Sequence, residues 1–225
     1  MRNDAMRAII CREPGRLERI ELPRPEPVPG MVAVDIRAVG ICGTDFHIFE
    51  GTHPFLAYPR VMGHELSGVV AGGATGPDLA PGTQVVINPY LSCGHCVACR
   101  KGKPNCCATL KVLGVHIDGG MCERVLVPAE NLYPANDLSL RDAAMIEFQA
   151  IGAHAVRRSE VKAGDRVLVV GAGPIGVGTA IFARLAGGEV TLMDISEGRL
   201  AFLSERFGFG GGIRAGADAL ADIDR

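Results

Sequence analysis

A chain of 225 residues, 48% of them hydrophobic, is long enough for two modest packed domains. Its formal net charge of −2 gives no basic footprint, which argues against nucleic acid or an anionic membrane as partner. No apolar run reaches signal-peptide or membrane-span length, so a soluble cytoplasmic protein is expected, where clustered cysteines mean metal more often than disulfides.

In chain order, "LPRPEPVPG" (22–30) reads as a stiffened loop, because proline removes backbone donors and fixes φ. "MVAVDIRAVG" alternates apolar and polar residues as a strand does, and so does "MCERVLVPAE". "LSGVVAGG" and "TQVVINPY" are short strand-like runs, with Gly/Pro-rich connections such as "GATGPDLAPG" between. This first part is expected to be an antiparallel barrel or sandwich.

Near residue 150 the texture changes. "AIGAHAVRRSEV" has helical spacing, "DRVLVV" is a strand, and "PIGVGTAIFARLAGG" is a helix with Pro174 in its first turn. "EVTLMD" is a second strand and "SEGRLAFLSERFG" a second helix, with Ser196 as its cap. That β-α-β-α order starts a parallel doubly wound sheet. Such a fold has two mononucleotide halves, and only the first is visible before "ADALADIDR", so the chain is expected to be cut short.

Five of the eight cysteines lie in "CGHCVACRKGKPNCC" (93–107). Cys93, Cys96 and Cys99 are spaced by two residues each, which lets successive thiolates reach one metal; Cys106 or Cys107 would complete four, with His95 as another candidate. Four thiolates leave no open place, so this site would be structural, worth on the order of 10–16 kcal/mol of apparent zinc binding.

"VLVVGAGPIG" places Gly171, Gly173 and Gly176 between a strand and a helix that begins at Pro174 and Ile175. The three glycines suit a tight turn, close approach of backbone to a pyrophosphate, and helix–strand contact; the helix start offers free N–H groups to phosphate. Asp194 follows about 20 residues on, at the end of the next strand, where a carboxylate would accept the ribose hydroxyls. A 2′-phosphate would meet like charge there, so NAD is expected over NADP, with Arg199 as the residue that would reach a phosphate.

"GICGTDFHIFEG" and "GHELSG" supply Cys42, Thr44, Asp45, His47, His64 and Glu65. Alone, these are compatible with an ordinary core cysteine and interior histidine. With the cysteine knuckle and "VLVVGAGPIG" in this order and spacing, however, the chain resembles the zinc-dependent medium-chain alcohol dehydrogenases from about residue 6 to its end. "GVHIDGGM" and "YPRVMGHE" are most similar to the polyol and sugar-acid branch, near sorbitol and galactonate dehydrogenases.

The resemblance implies an α/β protein with a GroES-like β-barrel catalytic domain over residues 1–148, followed by the first half of an NAD-binding Rossmann domain over 149–225. It implies a catalytic zinc on Cys42 and His64, with Glu65 or Glu147 competing as third ligand. It also favours Cys107 over Cys106 in the structural zinc site with Cys93, Cys96 and Cys99. Thr44 and His47 match a proton relay, and Asp45 a residue that orients a ligand.

The implied reaction moves hydride from a secondary alcohol of a polyol or sugar acid to NAD. A threonine or simple alcohol dehydrogenase, and a non-catalytic zinc-binding protein, are the alternatives. A homo-oligomer is implied for the full-length form, and the chain as it stands is expected to bind zinc but to be a poor dehydrogenase. Phe148 departs from the proline that polyol relatives usually carry after the glutamate.

Overall fold

In the computed structural model, which describes residues 5–26, 28–73, 77–210, 212–216, 219 and 223, the alternation of "MVAVDIRAVG" becomes the strand Met31–Gly40. It is the fourth member of an antiparallel five-stranded sheet. The order is Leu132–Pro134, Gln84–Ile87, Glu65–Gly73, Met31–Gly40, Arg124–Pro128. Val32, Val34, Leu66, Val85, Ile87 and Val127 are all fully buried and form one core on this sheet. Beta-branched side chains pack well on such a pleated surface, so pattern and propensity agree here.

The run "TQVVINPY" does not form a single strand. It divides into Gln84–Ile87 and Tyr90–Leu91, because Pro89 has no N–H for a ladder and the chain turns at Asn88. The buried side-chain amide of Asn131 pins this corner, donating to the carbonyl oxygens of Asn88 at 2.8 Å and Tyr90 at 3.1 Å. Tyr90–Leu91 then pairs with Lys111–Val112, which brackets the cysteine-rich segment.

A second antiparallel sheet has the order Arg16–Pro23, Ala5–Glu13, Arg60–Val61. The hairpin Ala5–Pro23 was not assigned from the sequence. Its signal was the "PG" pair at 14–15, where Gly15 adopts φ 78°, a left-handed conformation that glycine takes without a Cβ penalty.

The described residues divide into two compact units, Met1–Glu147 and Phe148–Arg225. In the second, three parallel strands lie in the order Arg166–Val170, Glu189–Asp194, Ile213–Arg214. Helices Pro174–Leu185 and Glu197–Phe207 connect them, and the Ser196 hydroxyl caps the latter by accepting the Arg199 N–H. Val169, Ala180, Leu192, Leu200, Leu203 and Phe209 form its core. Val170 pairs with Met193, so Gly171 and Asp194 leave their strands side by side at the carboxyl ends. No helix among the described residues is long and apolar enough to cross a membrane.

Candidate metal and nucleotide sites

Cys42 precedes the helix Gly43–Glu50, and its N–H donates to Asp45 Oδ2 at 2.9 Å. His64 and Glu65 stand at the start of the strand Glu65–Gly73, beside the end of Met31–Gly40. One donor atom each from Cys42, His64 and Glu65 lies within 4.8 Å of the other two. Residues spread over the sequence thus meet because a helix start and two neighbouring strands converge.

The His64 backbone is fixed from behind. Gly119 N–H donates to the Val61 carbonyl at 2.7 Å, Gly120 to Gly63 at 2.9 Å, and Met121 to Met62 at 2.9 Å. Contact is so close that a Cβ on Gly119 would sit 2.3 Å from Gly63 O, and one on Gly114 would sit 2.8 Å from Gly63 N. Gly63 itself has φ 94°. Side chains at these positions would force the two backbones apart.

The electrostatics of the site pull in opposite directions. Burial, the largest influence on His64, lowers the imidazole's pKa, but the Cys42 sulfur and the Asp45 and Glu147 charges together outweigh it, and the net shift is upward. Burial raises the Glu65 carboxyl. His64 Nδ1 and Asp45 Oδ1 are buried with no hydrogen-bond partner. A buried imidazole nitrogen is costly when unpartnered, so His64 gains from a further partner at this place. Thiolate, imidazole and carboxylate are a donor set that suits zinc, and three of them leave one tetrahedral place free.

Glu147, the other carboxylate considered for this shell, is buried on the first turn of the helix Ile146–Ser159. It lies outside the group of three, and its Oε1 accepts a hydrogen bond from Tyr90 Oη at 2.7 Å. Tyr90 was not picked out from the sequence, since a tyrosine in a strand beside a knuckle carries no spacing signal.

Thr44 Oγ1 is half-buried, 3.7 Å from Cys42 Sγ. His47 is exposed one helical turn on, with Nδ1 3.2 Å from Thr52 Oγ1 and 3.9 Å from Glu50 Oε2.

Cys93, Cys96, Cys99 and Cys107 form the second group, again with one sulfur each within 4.8 Å of the others. Cys107 is buried and its sulfur accepts the N–H groups of Cys93 at 3.3 Å and Thr109 at 3.4 Å; Cys106 is exposed. His95 turns its Nδ1 to the Cys93 carbonyl at 2.7 Å. Backbone N–H groups of His95 and then Cys96 hold the Cys93 thiol down at about 5, while burial pushes Cys99 up to about 11. Amides that stabilise thiolates at the mouth of two short turns are what a thiolate-binding metal requires.

In the second unit Gly171, with φ 101°, turns the chain out of its strand. A Cβ on Gly176 would lie 1.7 Å from Gly171 O, so helix and loop touch only because that residue is glycine. Gly173 begins the helix without a side-chain cap, and Pro174 and Ile175 follow in its first turn, leaving the following N–H groups free. Asp194 is buried, and its carboxylate already accepts the N–H groups of Ala172 at 2.6 Å and Ser196 at 2.7 Å. These donors, led by Ala172, hold its pKa below the usual aspartate value. The Arg199 guanidinium lies 3.9 Å from the same carboxylate. A carboxylate oxygen has room for more than one donor, so ribose hydroxyls could still be accepted.

Residues 28–137 match the alcohol dehydrogenase GroES-like domain family. The chain is 45% identical over 204 residues to L-galactonate-5-dehydrogenase of Escherichia coli K12, covering 89% of this chain and 59% of that protein. A short chain alcohol dehydrogenase from E. coli CFT073, solved in complex with the cofactor NADH, superposes with a TM-score of 0.89 at 37% identity. That match covers 98% of this chain and 66% of the other. An NAD-dependent alcohol dehydrogenase structure matches with a TM-score of 0.88 at 34% identity, covering 98% of this chain and 67% of the other.

Proposed function

The chain belongs to the medium-chain alcohol dehydrogenase family, with a GroES-like first unit, and from that premise we propose that it carries the metal site and the adenosine end of the cofactor site of an NAD-dependent dehydrogenase. The substrate is a secondary alcohol of a polyol or sugar acid, in keeping with the substrate named for the E. coli K12 relative. Residues 1–148 form the metal-holding domain and 149–225 the nucleotide-binding one. The meeting of Cys42, His64 and Glu65 within 4.8 Å is the observation that carries this reading.

Cys42, His64 and Glu65 hold zinc; Cys93, Cys96, Cys99 and Cys107 hold a second zinc whose role is structural. When bound, the first ion supplies Lewis acidity that lowers the pKa of a hydroxyl at the free place, and NAD supplies the hydride acceptor. The protein's own groups do the remaining work. Asp45 holds the Cys42 backbone, and with it the sulfur, in place. Thr44 Oγ1, beside Cys42 Sγ, accepts a hydrogen bond from the substrate hydroxyl and passes its own proton outward as it takes the substrate's, and exposed His47 serves as the solvent-side group that hands the released proton to water. Histidine suits that step because its ordinary pKa lies near 6.5. Gly171, Gly173 and Gly176 let the backbone meet the pyrophosphate, and Asp194 takes the ribose.

Metal analysis of the purified chain tests the reading. Two zinc ions per chain are expected, falling to one in Cys42→Ser, with at most weak NADH formation by this chain on a panel of polyols and sugar acids. A single zinc in the wild type, lost with Cys107→Ser and untouched by Cys42→Ser, overturns it.

A further inference from the structure

We propose that Asp194 is a positioning residue for the cofactor's phosphates as well as an acceptor for its ribose: its carboxylate, bonded to the Ala172 N–H and the Ser196 N–H, ties the glycine loop to the end of the neighbouring strand and holds it ready for the pyrophosphate. The inference rests on the reading that this unit binds the adenosine end of NAD.

The two carboxylate oxygens are committed to two different segments. Oδ2 accepts the Ala172 N–H at 2.6 Å, 22 positions back in the chain, and Oδ1 accepts the Ser196 N–H at 2.7 Å. Asp194 itself is a fixed post. It ends the middle strand of a three-stranded sheet, its own carbonyl accepts the Ala215 N–H at 3.0 Å, and the residue is buried. The Arg199 guanidinium, 3.9 Å away and mostly exposed, is beyond hydrogen-bond distance, so the tie is made by amides.

Packing grips the loop only at its centre. Among the described residues, a Cβ built on Gly171 or Gly173 would meet nothing within 4 Å, whereas the Ala172 methyl is buried in the core of this unit. Gly171 N–H donates to the Met193 carbonyl at 2.7 Å, and the Gly173 carbonyl accepts the Val177 N–H at 2.9 Å; these bonds fix the strand end and the helix end of the loop. Between them, the bond from Ala172 N–H to Asp194 sets which way the joining peptide faces.

The orientation of that peptide matters for phosphate. A trans peptide is planar, so its N–H and carbonyl point in opposite directions. With the Ala172 N–H on Asp194, the Gly171 carbonyl faces the start of the helix, where a Cβ on Gly176 would lie 1.7 Å from it. One bond therefore sets both the turn of the loop and its approach to the first helical turn, whose free N–H groups receive phosphate. A hydrogen bond to an ionised, buried acceptor is among the stronger single restraints on a backbone. A loop held in its bound form before the nucleotide arrives removes an ordering cost from binding.

The test uses the whole chain with two nucleotides, ADP and its 2′,3′-dideoxy analogue, which keeps the phosphates and lacks the ribose hydroxyls. Asp194→Ala removes both acceptors. With the far-ultraviolet circular dichroism unchanged, the dideoxy analogue is expected to bind at least about tenfold more weakly, and ADP to lose more still because it also forfeits the ribose contact. Hydrogen exchange adds a reading that needs no variant. In the wild type without nucleotide, the Ala172 amide is expected to be at least about tenfold better protected than the Ile175 amide in the helix's first turn. Should Asp194→Ala weaken ADP and leave the dideoxy analogue as it was, or should the Ala172 amide exchange as freely as that of Ile175, the positioning role is overturned while the nucleotide site stands. If the wild type binds neither nucleotide, the nucleotide reading falls and this inference with it.

Discussion

Gly40 and Glu65 face one another across two antiparallel strands, and a Cβ on Gly40 would come within 2.1 Å of Glu65 Oε2. The glycine holds open the space that the carboxylate occupies. In Gly40→Ala, Glu65 is forced out of the donor set, and zinc per chain falls from two to one while the folded state survives. Gly72→Ala, where an added Cβ meets nothing within 4 Å, leaves both ions in place. Elemental analysis of the two variants side by side checks this, and equal zinc in both would refute it.

Cys106 and Cys107 are adjacent in sequence but differ in surroundings, since only Cys107 is buried and accepts backbone N–H groups. Cys107→Ser should remove one zinc and open the segment 93–113 to proteases. Cys106→Ser should keep both zinc and resistance. Release of several kcal/mol of zinc-linked folding energy makes the contrast large. Limited proteolysis with a zinc-release dye reads it, and protection that is equal in the two variants counts against the assignment.

Acid sensitivity of the second unit should depend on Asp194. Its carboxyl is held below the ordinary value of 3.8, first by the Ala172 N–H and then by the Ser196 N–H. A depressed folded pKa gives a contribution fully present above pH 3.8 and lost as pH falls through the lower folded value. Asp194→Asn removes that dependence, so between pH 5 and pH 2 its unfolding free energy falls less steeply than the wild type's. Denaturant titrations followed across that range measure the slope; parallel curves would exclude the effect.

Gly176→Ala should damage the nucleotide loop. With Gly171 O only 1.7 Å from the new Cβ, helix and turn must separate, at about 1–3 kcal/mol of overpacking strain. NAD affinity, measured by calorimetry or protein fluorescence, is expected to fall at least about tenfold, as a displaced loop no longer presents its N–H groups to the pyrophosphate.

The spacing of Cys93, Cys96 and Cys99 and of Gly171, Gly173 and Gly176 was readable in the sequence because each set is local: one turn or one loop brings its members together. The strands Met31–Gly40 and Glu65–Gly73 were readable for the same reason, since period-two patterning is a local property. The choice between Glu65 and Glu147 was not. In the structure Glu65 joins Cys42 and His64 opposite Gly40, 25 positions before it, while Glu147 bonds Tyr90, 57 before it, and no spacing rule links those pairs. The Ala172–Asp194 bond lay hidden likewise, because an aspartate at a strand end signals ribose recognition and says nothing about amides it already serves. The first hairpin escaped notice since "RLERIELP" carries charges on a strand whose residues are half-buried at most.

The close seam of Gly63, Gly114 and Gly119 has a consequence for how such a site can diversify. The backbone leading to His64 is seated by main-chain hydrogen bonds and by Asp118 Oδ1 at the tip of the opposing loop, which accepts the Val61 N–H at 3.0 Å. Any change at the three glycines, or at that carboxylate, therefore shifts the imidazole with it, which leaves variation to positions outside the seam.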